Sequence, residues 1–346
     1  MFKVNGKGAT LLLLLIFCSF LVAISNIETV RASGTIYIRS DGTVEGTDRI
    51  QRNGNIYTFT ENINGNIVVE RNNLVVDGAG FTLQGDGSGR GIDLYDDSTS
   101  ITVRNMQIIH FHFGIHLSNS SYSIIESNYI ANNFEGIRIN GGFNNTLLGN
   151  TIANNSDNGI SVFFNTRNNL ISGNKITNNW VGVLFHLYSA SNTLSENFIN
   201  ANNGMGIWLD GGSNNRIIRN NITDNAKGVF ISATKNSTVY HNNFVNNTFH
   251  VYIHGNDPVI SMWDNGFQGN YWDTYTGVDN NGDGIGEAPY VIDENNQDNY
   301  PLMALVDIAV IPEFPLWTPL LIMLLSVTMI AIIYRRSIRK HKHGRE

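Results

Sequence analysis

The chain has one cysteine among 346 residues, six prolines and 15% charged residues, and each scarcity removes a class of answer. Cys18 lies inside an apolar stretch at 11–24, so the rest of the chain has no thiol, no disulfide framework and no cysteine ligand for a metal. Basic residues are thin as well. Between positions 33 and 311 there are 13 Lys plus Arg against 26 Asp plus Glu, a balance of −13 where the whole chain carries −7. A surface that acidic argues against nucleic acid as a partner. Helical periodicity is also missing: apolar residues alternate over two or three positions, as at 137–139, and are then broken by Asn, Ser or Gly. Such runs are too short for helices and fit short strands with one face inward. The Leu-rich consensus of leucine-rich repeats is absent too, which removes that solenoid.

What the chain does have is recurrence. A Gly-Ile-x-Leu phrase starts at Gly91, Gly114, Gly136, Gly159, Gly182, Gly206 and Gly228, with a degenerate eighth start at Val251, at a spacing of about 22 to 24 residues. Asn105, Asn128, Asn150, Asn174, Asn197, Asn220 and Asn242 keep the same time. Two landmarks in one register predict stacked coils. Asparagine at a fixed coil position has a reason: its amide donates and accepts, so identical side chains at the strand spacing of roughly 4.8 Å can bond one another and the turn backbone. Glycine before each Ile predicts a tight corner or a positive φ.

These repeats resemble right-handed parallel β-helix proteins of the NosD-like, pectate-lyase-like group. The resemblance includes the opening segment Ile67-Val-Val-Glu-Arg-Asn-Asn-Leu-Val-Val-Asp-Gly-Ala-Gly-Phe-Thr-Leu-Gln-Gly85, and the closing segments Gly269-Asn-Tyr-Trp-Asp, Pro289-Tyr-Val-Ile-Asp and Asp298-Asn-Tyr-Pro-Leu302. It implies an all-β fold, a right-handed parallel β-helix of about 22 to 24 residues per coil. On function it is broad, since the group holds copper-site accessory proteins, sugar-active enzymes and surface proteins.

Both termini carry targeting patterns. Lys3 and Lys7, the apolar stretch and Val30-Arg-Ala32 read as a signal peptide over 1–32. An N-terminal cap follows over 33–64, the β-helix over 65–265 and a C-terminal cap over 266–303. A linker at 304–315 contains Pro312-Glu-Phe314, a transmembrane helix covers 316–334, and a basic tail covers 335–346. Positive charge stays inside, so the β-helix is expected at the cell surface, outside the cytoplasmic membrane. The Pro-Glu-Phe triplet, the helix and the tail resemble the PEF-type sorting signal of archaeal surface proteins, which implies a lipid-like anchor; a plain single-pass helix gives the same topology. Six sequons, at Asn119, Asn144, Asn154, Asn221, Asn236 and Asn246, permit glycosylation in such a place.

Stacking allows the outer surface to be read as columns. If Ile92, Ile115, Ile137, Ile160, Val183, Ile207, Val229 and Val251 point inward, the outward column runs Asp93, His116, Arg138, Ser161, Leu184, Trp208, Phe230, Tyr252. Two places on runs Tyr95, Ser118, Asn140, Phe163, His186, Asp210, Ser232, His254. Trp208, Phe230 and Tyr252, with Phe163, are the candidate ligand-binding residues, because a ladder of flat apolar faces suits stacking against sugar rings. A covering segment would instead make that stripe core. Asp93, His116, Arg138, His186 and Asp210 are the candidate catalytic groups, able to serve as acid, base or carboxylate partner. The carboxylate pair that glycoside hydrolysis uses is not evident among them.

Two metals enter. Asp279, Asn281, Asp283, Ile285 (through its carbonyl) and Glu287 space oxygen donors as a calcium loop does, with Gly284 at the sharp turn and Asp293 or a water completing the shell, because Tyr290 stands where an EF-hand has its bidentate Glu. An ordinary acidic turn has the same composition. Copper is implied by the NosD-like resemblance, and His110, His112 and His116 are the densest histidine group, although His110 falls where other coils have Asn. The combined expectation is a surface-anchored β-helix that binds carbohydrate or envelope polymer without catalysis. A polysaccharide lyase, hydrolase or epimerase, and a copper-binding accessory protein, are the alternatives.

Overall fold

The computed structural model describes residues 34–254 and 262–308. The signal peptide, the transmembrane helix, the basic tail and most of the linker expected from sequence lie outside the described residues. The described residues up to Val306 belong to one compact unit; of a second, which starts at Asp307, only the first two residues are described.

Every regular element among the described residues is a strand. The strands form three long sheets of 11, 10 and 10 strands, wound as the three walls of a right-handed parallel β-helix. One coil shows the plan. Val181–His186 lies in the first sheet, Thr193–Ser195 in the second and Phe198–Asn200 in the third, before Met205–Asp210 re-enters the first. Coils pair in register, Ile160 on Val183 and Val183 on Ile207, so each inward column is a stack of apolar side chains. Ile92, Ile115, Ile137, Ile160, Val183, Ile207 and Val229 are fully buried. Each such side chain contributes about 1.5–3 kcal/mol over its exposed state.

Turns leave backbone groups that a single coil cannot satisfy, and asparagine ladders satisfy them. Between the second and third sheets run Asn128, Asn150, Asn174, Asn197, Asn220, Asn242 and Asn270, each Nδ2 reaching the next Oδ1 at 3.0–3.1 Å or closer. A second ladder, from Asn133 through Asn155, Asn179, Asn202 and Asn225 to Asn247, lies between the third and first sheets. In the first coil of the Asn128–Asn270 ladder the sequence marker slips by one residue. Met106, not Asn105, holds the ladder position, its N–H donating to Asn128 Oδ1 at 3.3 Å, while Asn105 takes the left-handed turn position at φ 55° that Ser127 takes one coil on.

The glycines before Ile have a different cause from the one expected. None of Gly91, Gly114, Gly136, Gly159, Gly182, Gly206 or Gly228 is at positive φ. A Cβ on any of them would stand 2.4–2.7 Å from the carbonyl oxygen one coil on. Close coil-to-coil approach excludes a side chain, and the column ends at His250, beyond which no further first-sheet rung follows among the described residues.

Antiparallel hairpins close the first end: Ile36–Ile38 with Val44–Glu45, and Ile50–Asn53 with Ile56–Phe59. At the other end Trp272 stacks between Phe244 and Tyr290, at 4.3 Å from each ring, with Trp263 at 6.0 Å. The long Asn ladder finishes on Asp298, whose Oδ2 accepts from Asn270 N at 2.7 Å and Trp272 Nε1 at 2.9 Å. Burial pushes this carboxyl up to about 6, against the donors that favour its charged form.

Candidate functional site

The outward columns of the first sheet fall where the spacing places them. His116 is in register with Asp93 and Arg138, Arg138 with Ser161, and Leu184, Trp208, Phe230 and Tyr252 follow on successive rungs. The upper rungs are not open to water. His116 Nδ1 lies 2.9 Å from Asp93 Oδ1, Arg90 holds the other carboxylate oxygen at 2.9 Å, and both Asp93 and His116 are buried. Desolvation, the largest single effect, would raise the Asp93 carboxyl, but hydrogen bonds from His116 and Arg90 and the Arg90 charge hold it below the usual carboxylate range. Glu135 bridges Arg138 at 3.2 Å and the hydroxyl of Ser161, itself buried. Its charge and burial push neighbouring Asp157 up, burial being the larger cause.

The middle rungs join the polar and aromatic halves. The Arg138 guanidinium lies over the rings of Phe113 and Phe163 at 5.0 and 4.4 Å, and Phe163 meets the His186 ring edge-on at 5.1 Å. His186 Nδ1 is 2.5 Å from Asp210 Oδ2, close enough for an ion pair but outside hydrogen-bond direction. Ser232 donates to Asp210 Oδ1 at 2.7 Å and accepts from Trp208 Nε1 at 3.2 Å. So His186, Asp210, Ser232 and Trp208 form one chain of polar contacts across three coils.

Below it, Trp208 and Phe230 meet edge-to-face at 5.4 Å and Phe230 stacks on Tyr252 at 5.5 Å. Lys227 reaches over Phe230 and Tyr252, at 5.8 and 5.3 Å. Of the twelve aromatic side chains exposed among the described residues, nine lie on the first sheet or its flanking turns. Tyr95, Tyr122, Phe143, Phe164 and Tyr188 line one margin, Phe134 and Trp180 the other, and Phe249 and Tyr252 sit on the last strand. Tyr122, Phe164 and Tyr188 hold φ values of 49–63°, costly for bulky residues.

Sequence columns missed two things. The residue before each Gly forms a third column, Arg90, Phe113, Glu135, Asn158, Val181, Met205, Lys227 and Phe249, which alternation from the inward Ile would turn inward, whereas Arg90, Glu135 and Lys227 reach the outward residues Asp93, Arg138 and Phe230. The marginal aromatics sit in turns, where no alternation signals direction.

In the C-terminal cap, Asp279 accepts from the N–H groups of Gly282, Asp283 and Gly284 at 2.7–3.2 Å, Asn281 from Asp283 N and Asp283 from Ile285 N. These oxygens converge on their own loop. Glu287 is held by Asn280, and Asp293 stands in a separate turn, bonding Asn295 and Asn296. The three dense histidines do not share a site: His110 takes a left-handed turn at φ 61°, His112 stacks on Phe134 at 4.6 Å, and His116 pairs with Asp93. Among the described residues no group of three or more His, Cys, Asp or Glu is disposed to hold a metal.

Two family models match the chain. One, described as periplasmic copper-binding protein (NosD), covers residues 158–277, and one described as right handed beta helix region covers 58–192. Among solved structures the chain is similar to the periplasmic alginate epimerase AlgG, at 19% identity and TM-score 0.44 over 58% of this chain and 49% of that one. It is similar also to the A-module of an Azotobacter vinelandii mannuronan C-5 epimerase (11%, TM-score 0.44, 64% of this chain and 71% of that) and to pectate lyase Pel9A (14%, TM-score 0.37, 61% of each). The chain spans about half the length of the first of these, 49%. No curated protein matches it.

Proposed function

The chain is a NosD-like right-handed β-helix protein, and from that premise we propose that its first sheet is a carbohydrate-binding face, displayed outside the cell and acting without catalysis. The observation that carries this reading is the asymmetry of its exposed aromatics: nine of twelve gather on one wall and its margins. Scattered exposed apolar residues are ordinary, but a contiguous set marks a contact surface. Flat rings edged by amides and hydroxyls suit sugars, whose C–H faces stack and whose hydroxyls bond. The ligand is an extended glycan or envelope polymer running along the solenoid axis. Anchoring at the cytoplasmic membrane, by the C-terminal helix or a lipid-like group, belongs to the same proposal.

Trp208→Ala with Tyr252→Ala is expected to weaken binding of array-selected glycans by about thirtyfold or more, since each stacking contact contributes on the order of 1 kcal/mol beyond area. Thermal unfolding should hardly move. If the double variant unfolds at a clearly lower temperature, the stripe is packing surface and the reading fails.

A second reading, polysaccharide lyase, hydrolase or epimerase chemistry, is favoured by one arrangement: Arg138 and the His186–Asp210 pair on either side of Phe163. Turnover of a uronate polymer that disappears in His186→Gln would establish it. Copper handling follows only from the matched family's description, and stoichiometric copper retention would single it out.

The loop at 279–287 is proposed to take calcium through Asp279, Asn281 and Asp283, whose spacing is that of a calcium loop and whose oxygens would exchange the loop's own N–H groups for the ion. Binding the folded state alone adds RT ln(1 + [L]/Kd), about 2.7 kcal/mol at a hundredfold excess over Kd. Chelation should therefore lower the melting temperature and open the cap to protease first, as should Asp283→Ala. Superimposable melting curves in millimolar calcium and in chelator would leave an acidic turn.

A further inference from the structure

The three walls of the solenoid do not end level. Beyond Thr238–Tyr240 the second sheet gains a bridge to Met262, and beyond Asn243–Val245 the third gains Tyr271–Trp272. The first sheet ends at Phe249–His254, with no further rung among the described residues. Val251 and Ile253, whose counterparts in earlier coils are fully buried, are only half-buried here. The cap residues at 290–292 stand across this gap and leave a cavity of about 260 Å³.

Its walls are chemically mixed. Thr248 and Thr274 bring hydroxyls, and Thr274 Oγ1 lies 3.2 Å from the Tyr290 hydroxyl. The Phe249 ring gives one apolar wall and stands 6.1 Å from Tyr252 on the same strand, so the cavity adjoins the last rung of the aromatic ladder. His250 is 7% exposed, and its Nε2 lies 2.7 Å from Asp273 Oδ1 but off the hydrogen-bond direction, leaving that ring nitrogen unsatisfied. No Lys or Arg lines the cavity, and Asp273 adds negative charge beside it, so an acidic sugar would find no partner.

We propose that this cavity is a terminal subsite, holding the last, uncharged sugar of a glycan chain that lies along Trp208, Phe230 and Tyr252. The inference rests on the carbohydrate-binding reading of the first sheet and adds that the face recognises chain ends. The volume is below the usual range for drug-sized pockets and suits one small ring. Burial lowers the His250 pKa below its ordinary value, which leaves a neutral imidazole to exchange hydrogen bonds with hydroxyls.

The test uses the full chain in detergent with 15N-labelled histidine, its His250 signals assigned through His250→Gln. Glucose, galactose, mannose and galacturonate are titrated at millimolar concentration. At least one neutral hexose should shift the His250 ring resonances saturably, galacturonate should not, and Thr274→Val with Tyr290→Phe should weaken the response about tenfold. Absence of any hexose response, or an equal response to galacturonate, overturns the proposal, and the wild-type titration decides this even where a variant does not fold. A polymer that binds the ladder while no hexose moves His250 overturns the terminal subsite and leaves the face. A hexose response at His250 without polymer binding supports the subsite and overturns the face.

Discussion

Gly182→Ala will destabilise the protein by about 3 kcal/mol, although adding a methyl to glycine usually stabilises a compatible site by restricting the unfolded chain. The added Cβ would stand 2.4 Å from the carbonyl oxygen of Gly206 and 3.0 Å from both Asn202 Nδ2 and Ile199 Cγ2. The first obstacle is backbone, so no rotamer relieves it. Relief requires the two coils to separate, which stretches the Asn179–Asn202 ladder bond now at 3.1 Å. Gly211→Ala is the control. Its φ of 72° imposes left-handed strain of roughly 1–2 kcal/mol, but open space surrounds the new Cβ. Denaturant unfolding of the two variants separates the causes: equal losses would show that coil-to-coil contact is not what requires glycine at 182.

Asn197→Ala should cost about 4 kcal/mol, several times the loss from an exposed asparagine. The native Nδ2 donates to Ile171 O, Ser195 O and Asn220 Oδ1, each at 2.9 Å, while its Oδ1 accepts Asn174 N at 2.9 Å and Asn174 Nδ2 at 3.0 Å. Alanine removes all five at once in a fully buried place. Each orphaned group costs about 1–3 kcal/mol, and water entering the space returns part of it. Amide exchange should accelerate first at Asn174, the donor left without an acceptor. An unfolding midpoint no lower than that of Asn200→Ala would mean that the ladder is a consequence of stacking and contributes little to it.

Much of this molecule could be read from one line of letters, because in a parallel solenoid sequence period and spatial neighbour coincide. Ile160, Val183 and Ile207 are neighbours for the same reason that they are a repeat apart, and the outward rungs from Asp93 to Tyr252 follow. Reading failed where a residue's reason lies outside its own coil. Gly182 resembles a corner glycine until the carbonyl above it is placed. Asn105 reads as a ladder member because left-handed turn and ladder positions are adjacent and both favour asparagine. Glu135, buried between Arg138 and Ser161, carries no mark in the sequence of being inside, and it is one reason the upper rungs are dry. The gap under Phe249 depends on three walls ending at different heights, which no single repeat encodes.

A spine of self-pairing amides is also a template, since its last member offers the next molecule what each asparagine offers the next coil. The end at Asp298 closes that possibility. In its charged form the carboxylate takes N–H bonds from Asn270, Trp272 and Tyr300 and has none to give. Asp298 is itself fully buried, so a second copy arriving end-on meets the cap and no free ladder amide, and one side chain acts as the terminator of the spine.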